Sequence, residues 1–231
     1  MNVPKQEMFA NPYWHSLLTE HAGVAIGNGL ARRFPADVIP FAGIPEPSTA
    51  SMSALRELLA PGESIYITGD ELTLIPGLEK TGELPGWQMH FDAAPLPPPT
   101  GLIPTVRELQ AADAPAMVAL TVVAFPGFFR PRTYILGQYF GIEIDGQLIA
   151  MAGERLALPG YREISAVCTH PKHTCKGYAS VLIQHLIRIH AAAGLRSFLH
   201  AGQTNRRAIS LYERLGFTRT RPILFHSLRR W

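Results

Sequence analysis

The chain has 231 residues, 47% of them hydrophobic and 17% charged, with 20 prolines, 20 glycines and two cysteines. That is enough apolar sequence for one sizeable core or two small ones, and it excludes a disordered, collagen-like or disulfide-stapled chain. The formal charge of +3 hides an asymmetry: residues 1–99 hold 5 Lys+Arg against 11 Asp+Glu, net −6, and residues 100–231 hold 16 against 7, net +9. A basic half draws phosphates. Its cations are scattered and form no zinc-finger or helix-turn-helix pattern, so a small phosphorylated ligand is expected and nucleic acid is not. Cys168 and Cys175 lie only seven residues apart, the first residues lack the basic-then-apolar layout of a signal peptide, and no run of about 18 apolar residues occurs. These features predict a soluble, cytoplasmic protein with no membrane partner.

In chain order, residues 11–33 and 48–60 read as helices, the second opening at Ser48 or Ser51 and stopping at Pro61-Gly62. Extended runs follow at 64–68 and 87–91. The run Pro95-Leu96-Pro97-Pro98-Pro99 reads as a stiff spacer, dividing the chain into an N-terminal α/β region, 1–94, and a second domain, 100–231. In that domain a strand is predicted over 102–108, a helix over 113–125 and a short helix over 133–138. Strands at 139–144, 148–156 and 163–169 are separated by Asp145-Gly146 and Pro159-Gly160 turns. A long helix over about 176–193 ends at Gly194, a strand covers 196–200, Asn205 caps a helix that ends at Gly216, and residues 223–228 close in an extended run. The fold class is α/β: a mixed, largely antiparallel sheet flanked by helices, preceded by a smaller α/β region.

The stretch from Val167 to Ser180 runs from an apolar strand through a polar turn into a helix. Such a turn leaves several backbone N–H groups free at the helix start, where they and the macrodipole form an anion site. Gly177 and Ala179 let a phosphate approach the backbone, and Lys176 adds charge. By itself this geometry is common and usually binds nothing.

The segment Thr174-Cys175-Lys176-Gly177-Tyr178-Ala179 resembles the (R/Q)-x-x-G-x-(G/A) cofactor motif of the GNAT superfamily of acyl-CoA-dependent N-acetyltransferases. Thr174 replaces the usual Arg or Gln, and Cys175 stands where many members have glycine. Asn205 to Phe217 resembles the family's later Asn-x-x-Ala-x-x-x-Tyr-x-x-x-Gly-Phe helix with its full spacing. The resemblance covers about residues 100–231 and is similar in layout to the two-part glycine N-acyltransferase-like branch. It implies acetyl-CoA as acyl donor and no metal. It places Val167, Cys168 and Thr169 along the pantetheine and Cys175, Lys176, Gly177, Tyr178, Ala179 and Ser180 around the pyrophosphate. Asn205 falls near the pantetheine and Tyr212 near the thiol.

An amine attacks a thioester only when neutral, so a base or a water wire is needed. Glu163 is the candidate base: it resembles in position the base of the histone-acetylating branch and by alternation shares a face with Ser165 and Val167. If it serves, Glu163→Gln removes a limb of the pH profile. Glu154 is the reserve, and a water chain stays open. Each carboxylate can equally be a strand residue paired with its neighbouring arginine, Arg162 or Arg155. A departing thiolate needs a proton, which Tyr212 can supply unless it is simply a core aromatic, and an oxyanion needs a backbone donor near Cys168. A Cys168 nucleophile with His170 or His173, or a zinc site using both cysteines, is poorly served by residues crowded on one turn. The sequence therefore reads as an N-acetyltransferase acting on a primary amine of a small molecule, amino acid or peptide in a ternary complex, with the acceptor between the two halves. The alternative is a non-catalytic CoA-binding regulatory module. Oligomeric state is left open.

Overall fold

The computed structural model describes residues 4–94, 104–124 and 126–231. Two short helices open it, α1 (Lys5–Ala10) and α2 (Pro12–Leu18), and they bury Met8, Phe9, Tyr13 and Leu17. The single helix predicted over 11–33 is therefore only its first two turns. The Thr19 hydroxyl donates to the His15 carbonyl at 2.7 Å and closes the last turn. Further on, Gly27 takes φ +92°, where an added Cβ would lie 2.7 Å from the Ala31 carbonyl, and the chain folds back into a two-stranded ribbon, β1 (Arg32–Arg33) against β2 (Ala42–Gly43).

Helix α3 (Thr49–Glu57) starts at Ser48, whose hydroxyl accepts from the Ser51 amide at 3.2 Å. Strand β3 (Ser64–Thr68) falls where alternation puts it. Strand β4 (Leu78–Phe91) begins nine residues before its predicted start at Trp87. Its first half is mostly exposed and has a neighbour on one edge only, so it carries no apolar pattern to read. After the undescribed stretch come β5 (Val106–Leu109) and α4 (Ala114–Ala124); the predicted strand start at 102 and the helix end at 125 lie outside the described residues. A 3₁₀ turn at Thr133–Leu136 replaces the short helix.

Then follow β6 (Tyr139–Ile144), β7 (Gln147–Leu158), β8 (Tyr161–Thr169), α5 (Tyr178–Ala192), β9 (Arg196–Gly202), α6 (Arg206–Arg214) and β10 (Phe217–Arg230). Strands β3 to β10 form one eight-stranded sheet in the order β3-β10-β4-β9-β8-β7-β6-β5, antiparallel except for β8 beside β9. The predicted spacer at 95–99 lies outside the described residues, and the sheet runs through both sides of it. Strand β4, from before the spacer, is hydrogen-bonded between β9 and β10, from after it.

One face of the sheet packs under α5 and α6, where Leu182, Leu186, Ile209 and Tyr212 meet Met89, Ile164 and Leu199. The other face lies under α1, α2 and the 34–41 segment, where Phe9, Tyr13, Phe34 and Phe41 meet Phe198 and Phe225. Each fully buried Leu, Ile or Phe contributes about 1.5–3 kcal/mol. The position of α5 is thus set chiefly by Leu182, Ile183, Leu186 and Ile187, all buried, and less by its half-buried first turn.

Candidate active site

Two irregularities in the sheet open a site. Strands β8 and β9 pair only from Tyr161/Arg196 to Glu163/Phe198, after which no ladder joins them, although β8 continues to Thr169 and β9 to Gly202. On the other edge of β8, Met151 faces Cys168 and Gly153 faces Ser165, so Ala166 and Val167 together oppose one residue of β7. This is a β-bulge, with Ala166 at φ +52°. It reverses the alternation assumed from sequence: Val167 packs toward α5 on the side of Ile164, while Ala166 and Cys168 pack toward α4. Glu163 and Val167 do not share a face.

A cleft of about 520 Å³ opens beside the divergence, running from Val167–Thr169 past the first turn of α5 to α6. Every residue that the sequence assigns to the cofactor lines it: Val167, Cys168, Thr169, the run Cys175 to Ser180, Asn205 and Tyr212. Helix α5 has no side-chain cap, and its first intrahelical bond runs from Val181 N–H to the Gly177 carbonyl at 3.1 Å. The Tyr178, Ala179 and Ser180 N–H groups therefore have no partner among the described residues. Gly177 takes φ +80°, and a Cβ there would meet nothing within 4 Å. Lys176, Arg207 and Arg214 line the cleft, and among the described residues no Asp or Glu does. Free donors, three cations and an open backbone approach fit a pyrophosphate.

Cys175, one of the two departures from the motif, sits at φ +64°, the left-handed region where glycine is at ease and a side chain is strained. It is exposed, and the Arg207 guanidinium donates to its Sγ at 3.6 Å. Alkylation of Cys175 is expected to weaken CoA binding, and saturating CoA to slow the alkylation; equal labelling rates with and without CoA, read by mass spectrometry, would separate this thiol from the ligand. Asn205 commits its side-chain oxygen to the Ala208 amide at 3.1 Å, capping α6. Tyr212 is 9% exposed, and burial pushes its hydroxyl up to about 12, so it stays protonated at neutral pH.

The two candidate bases are not in the cleft. Glu163 is fully buried; Arg155 donates to it through Nε at 3.0 Å and Nη2 at 2.5 Å, and His200 Nδ1 donates at 2.7 Å. Burial works against its charge, but the facing Arg155 and His200 win and hold the carboxyl down at about 2. Glu154 is 7% exposed and accepts from His190 Nε2 at 3.0 Å and from the Gln138 amide at 3.3 Å. Both are structural partners, although not of the adjacent arginines: Arg162 points to the other face and pairs with Glu20 at 2.9 Å. Cys168 is also inert, since burial raises its thiol to about 12. His170 is occupied in accepting from the Lys172 amide at 3.2 Å. Among the described residues no cluster of three or more His, Cys, Asp or Glu side chains is placed to hold a metal.

Sequence reasoning missed the groups behind the bulge. Ile39, Phe128, Phe129, Thr133, Tyr139, Arg155, Ser165 and Ala166 enclose a small cavity of about 20 Å³, room for one water. Residues 165–166 line this cavity and 167–169 line the cleft, so the two spaces adjoin across one strand. The Arg155 guanidinium lies over the Phe41 ring at 5.1 Å and the Tyr13 ring at 5.7 Å. Only the β-bulge reveals this cavity, and a bulge at Ala166 has no glycine to announce it.

A splayed, largely antiparallel sheet carries a basic cleft at a strand-to-helix turn, a shape and charge suited to a phosphorylated ligand. Residues 139–225 match the FR47-like protein family. A GNAT-family protein of Novosphingobium aromaticivorans DSM 12444 is 33% identical, with 96% of this chain and 98% of that one covered and a TM-score of 0.87. A GCN5-related N-acetyltransferase from Kribbella flavida shares the fold at 15% identity, covering 94% of this chain and 95% of that one with a TM-score of 0.61. So does a GNAT-family acetyltransferase from Colwellia psychrerythraea, at 13% identity, 100% and 98% coverage and a TM-score of 0.53. No curated protein matches the chain. The chain belongs to the GNAT family of N-acetyltransferases, whose chemistry is acyl transfer from CoA. Among the described residues no helix is long and apolar enough to cross a membrane.

Proposed function

We propose that the protein transfers an acetyl group from acetyl-CoA to the primary amine of a small molecule, amino acid or peptide by direct attack in a ternary complex. The observation that carries this reading is the convergence of all eleven cofactor candidates on one cleft where β8 and β9 part. Bound there, acetyl-CoA supplies an activated acyl group on a thiol leaving group. The Tyr178, Ala179 and Ser180 N–H groups hold the pyrophosphate, and Lys176, Arg207 and Arg214 add the long-range attraction that salt weakens. The open edge of β8 at Val167–Thr169 offers backbone partners to the pantetheine arm. The Tyr212 hydroxyl, kept protonated by burial, donates to the departing sulfur.

On this reading the acceptor amine approaches from the side of the small cavity behind Ala166, to which Ile39 contributes from the N-terminal region; the cavity itself holds the one water that relays the proton and not the acceptor. Its charged group is Arg155 and not an acid, so the acidity of residues 1–99 does not act there. With Glu163 and Glu154 both paired, the amine's proton leaves through Ser165 and a water in the cavity. The absence of a free carboxylate from the cleft lining favours a second reading, a non-catalytic CoA-binding module.

Release of free thiol from acetyl-CoA with a panel of amines, amino acids and peptides decides between them. Tyr212→Phe should then lower turnover by about 10- to 1,000-fold with CoA affinity within about twofold of the parent. Unchanged turnover would return Tyr212 to the core, and no thiol release with any acceptor would favour the binding module.

A further inference from the structure

On the face of the sheet away from α5 and α6, an open groove of about 570 Å³ lies between α1 and the β4–β10 pair. Its floor is Phe9 with Gln88 and His90, which point the same way from β4; Lys5, Asp70 and Arg221 stand around it. Gln88 is fully buried and His90 is 4% exposed.

The Gln88 amide nitrogen donates to the Phe9 carbonyl at 3.2 Å and to His200 Nε2 at 3.1 Å. The Phe9 carbonyl can only accept, so the orientation of the Gln88 amide is fixed. Its Oε1 is left buried and without a partner among the described residues, and so is His90 Nε2. Buried polar atoms are nearly always paired. Two orphans two residues apart on one groove floor mark a place where a ligand supplies the missing partners.

The chemistry of the floor selects the ligand. Gln88 Oε1 only accepts, so the ligand must bring an N–H or O–H. Burial, helped by the Lys5 charge, lowers His90 to about 4, so its ring is neutral and offers one donor and one acceptor. Lys5 and Arg221 attract a carboxylate, and Asp70 tolerates an ammonium. The geometry points to a binding site for a small carboxylate carrying a neighbouring amine or hydroxyl, with that donor on Gln88 Oε1 and His90 and the carboxylate toward Lys5 and Arg221. The site is separate from the CoA cleft, with which it shares no lining residue. It does not depend on acyl transfer. Through Gln88 and His200 its occupant is joined to Glu163, which anchors Arg155 in the wall of the small cavity behind Ala166.

The test is a titration of the full chain at low ionic strength, with and without saturating CoA, followed by chemical-shift changes. Glycine and glycolate are the probes and distinguish an amine from a hydroxyl donor; acetate and methylammonium carry one function each and are the controls. At least one probe should bind saturably and about tenfold more tightly than either control, whether or not CoA is present. His90→Phe, which keeps the ring volume, and Arg221→Ala should each weaken it on the order of tenfold with CoA affinity retained. Probes that bind no better than the controls would overturn the site, as would affinities that neither variant moves. Loss of probe binding in Ser165→Leu but not in His90→Phe would also overturn it, by placing the probe on the acceptor's side of the sheet bulge.

Discussion

Replacing Gly177 with leucine is expected to remove CoA binding, by about 100-fold or more in calorimetry, about 2.8 kcal/mol of binding free energy, while leaving the chain folded. The two halves of this expectation have separate causes. Gly177 lies at φ +80°, so any side chain there costs about 1–2 kcal/mol in the backbone. That cost is small beside the anchorage of α5 by Leu182, Ile183, Leu186 and Ile187, all buried in the core under the sheet. No atom within 4 Å obstructs the new Cβ, and Gly177 lines the same cleft as Tyr178, Ala179 and Ser180. The side chain fills the room a phosphate needs without disturbing the protein. Gly177→Ala should fall between the parent and the leucine variant. A leucine variant that binds CoA like the parent would move the pyrophosphate elsewhere, and one that does not fold would show that α5 depends on its first turn.

The parts of this site that were legible in the sequence are those encoded locally. The free donors of α5 follow from an uncapped strand-to-helix turn around Gly177, and Asn205 and Gly216 bracket α6 by chemistry that acts over three or four residues. The edges of β3 were readable because burial alternates along its start, and those of β6 because its buried run ends at the Asp145-Gly146 turn. What was hidden depends on partners far away in the chain. The first half of β4 is mostly exposed along its pairing with the C-terminal half of β10, and the start of β10 at Thr218–Pro222 is mostly exposed too, so no apolar period marks either stretch. The place of β4 between β9 and β10 is invisible to a reading that stops at a proline run. Glu163 shows the same limit at the level of a single side chain. Its neighbours Arg162 and Ser165 were in view, but Arg155 comes from the adjacent strand and His200 from β9, and these two decide its charge.

The place of Glu163 also sets the largest stability effect expected in the molecule. Its carboxylate and the Arg155 guanidinium are both withdrawn from water, Glu163 completely and Arg155 to 13% side-chain exposure, and His200 completes the cluster. Removing one member of such a pair leaves the other charge buried without compensation, at a cost of about 3–5 kcal/mol. Glu163→Gln is therefore expected to lower the unfolding free energy in urea by about that amount. The double variant Arg155→Met with Glu163→Leu should recover much of the loss, because it removes both charges and keeps the volume.

The pH dependence has a definite sign. Glu163 titrates near 2 in the folded protein and at about 4.3 in an unfolded chain, so its contribution is fully present above about pH 4.3 and is lost as pH falls toward 2. The parent should lose stability across that acid window, and Glu163→Gln should show a flatter curve there. The same titration removes Glu163 from the pH profile of any transferase activity between pH 5 and 9, where it is ionised throughout. Glu163→Gln, measured below its melting temperature, should keep whatever limbs the parent shows. If the variant instead loses a limb and costs less than about 1 kcal/mol of stability, Glu163 is exposed to the acceptor and acts as the base after all.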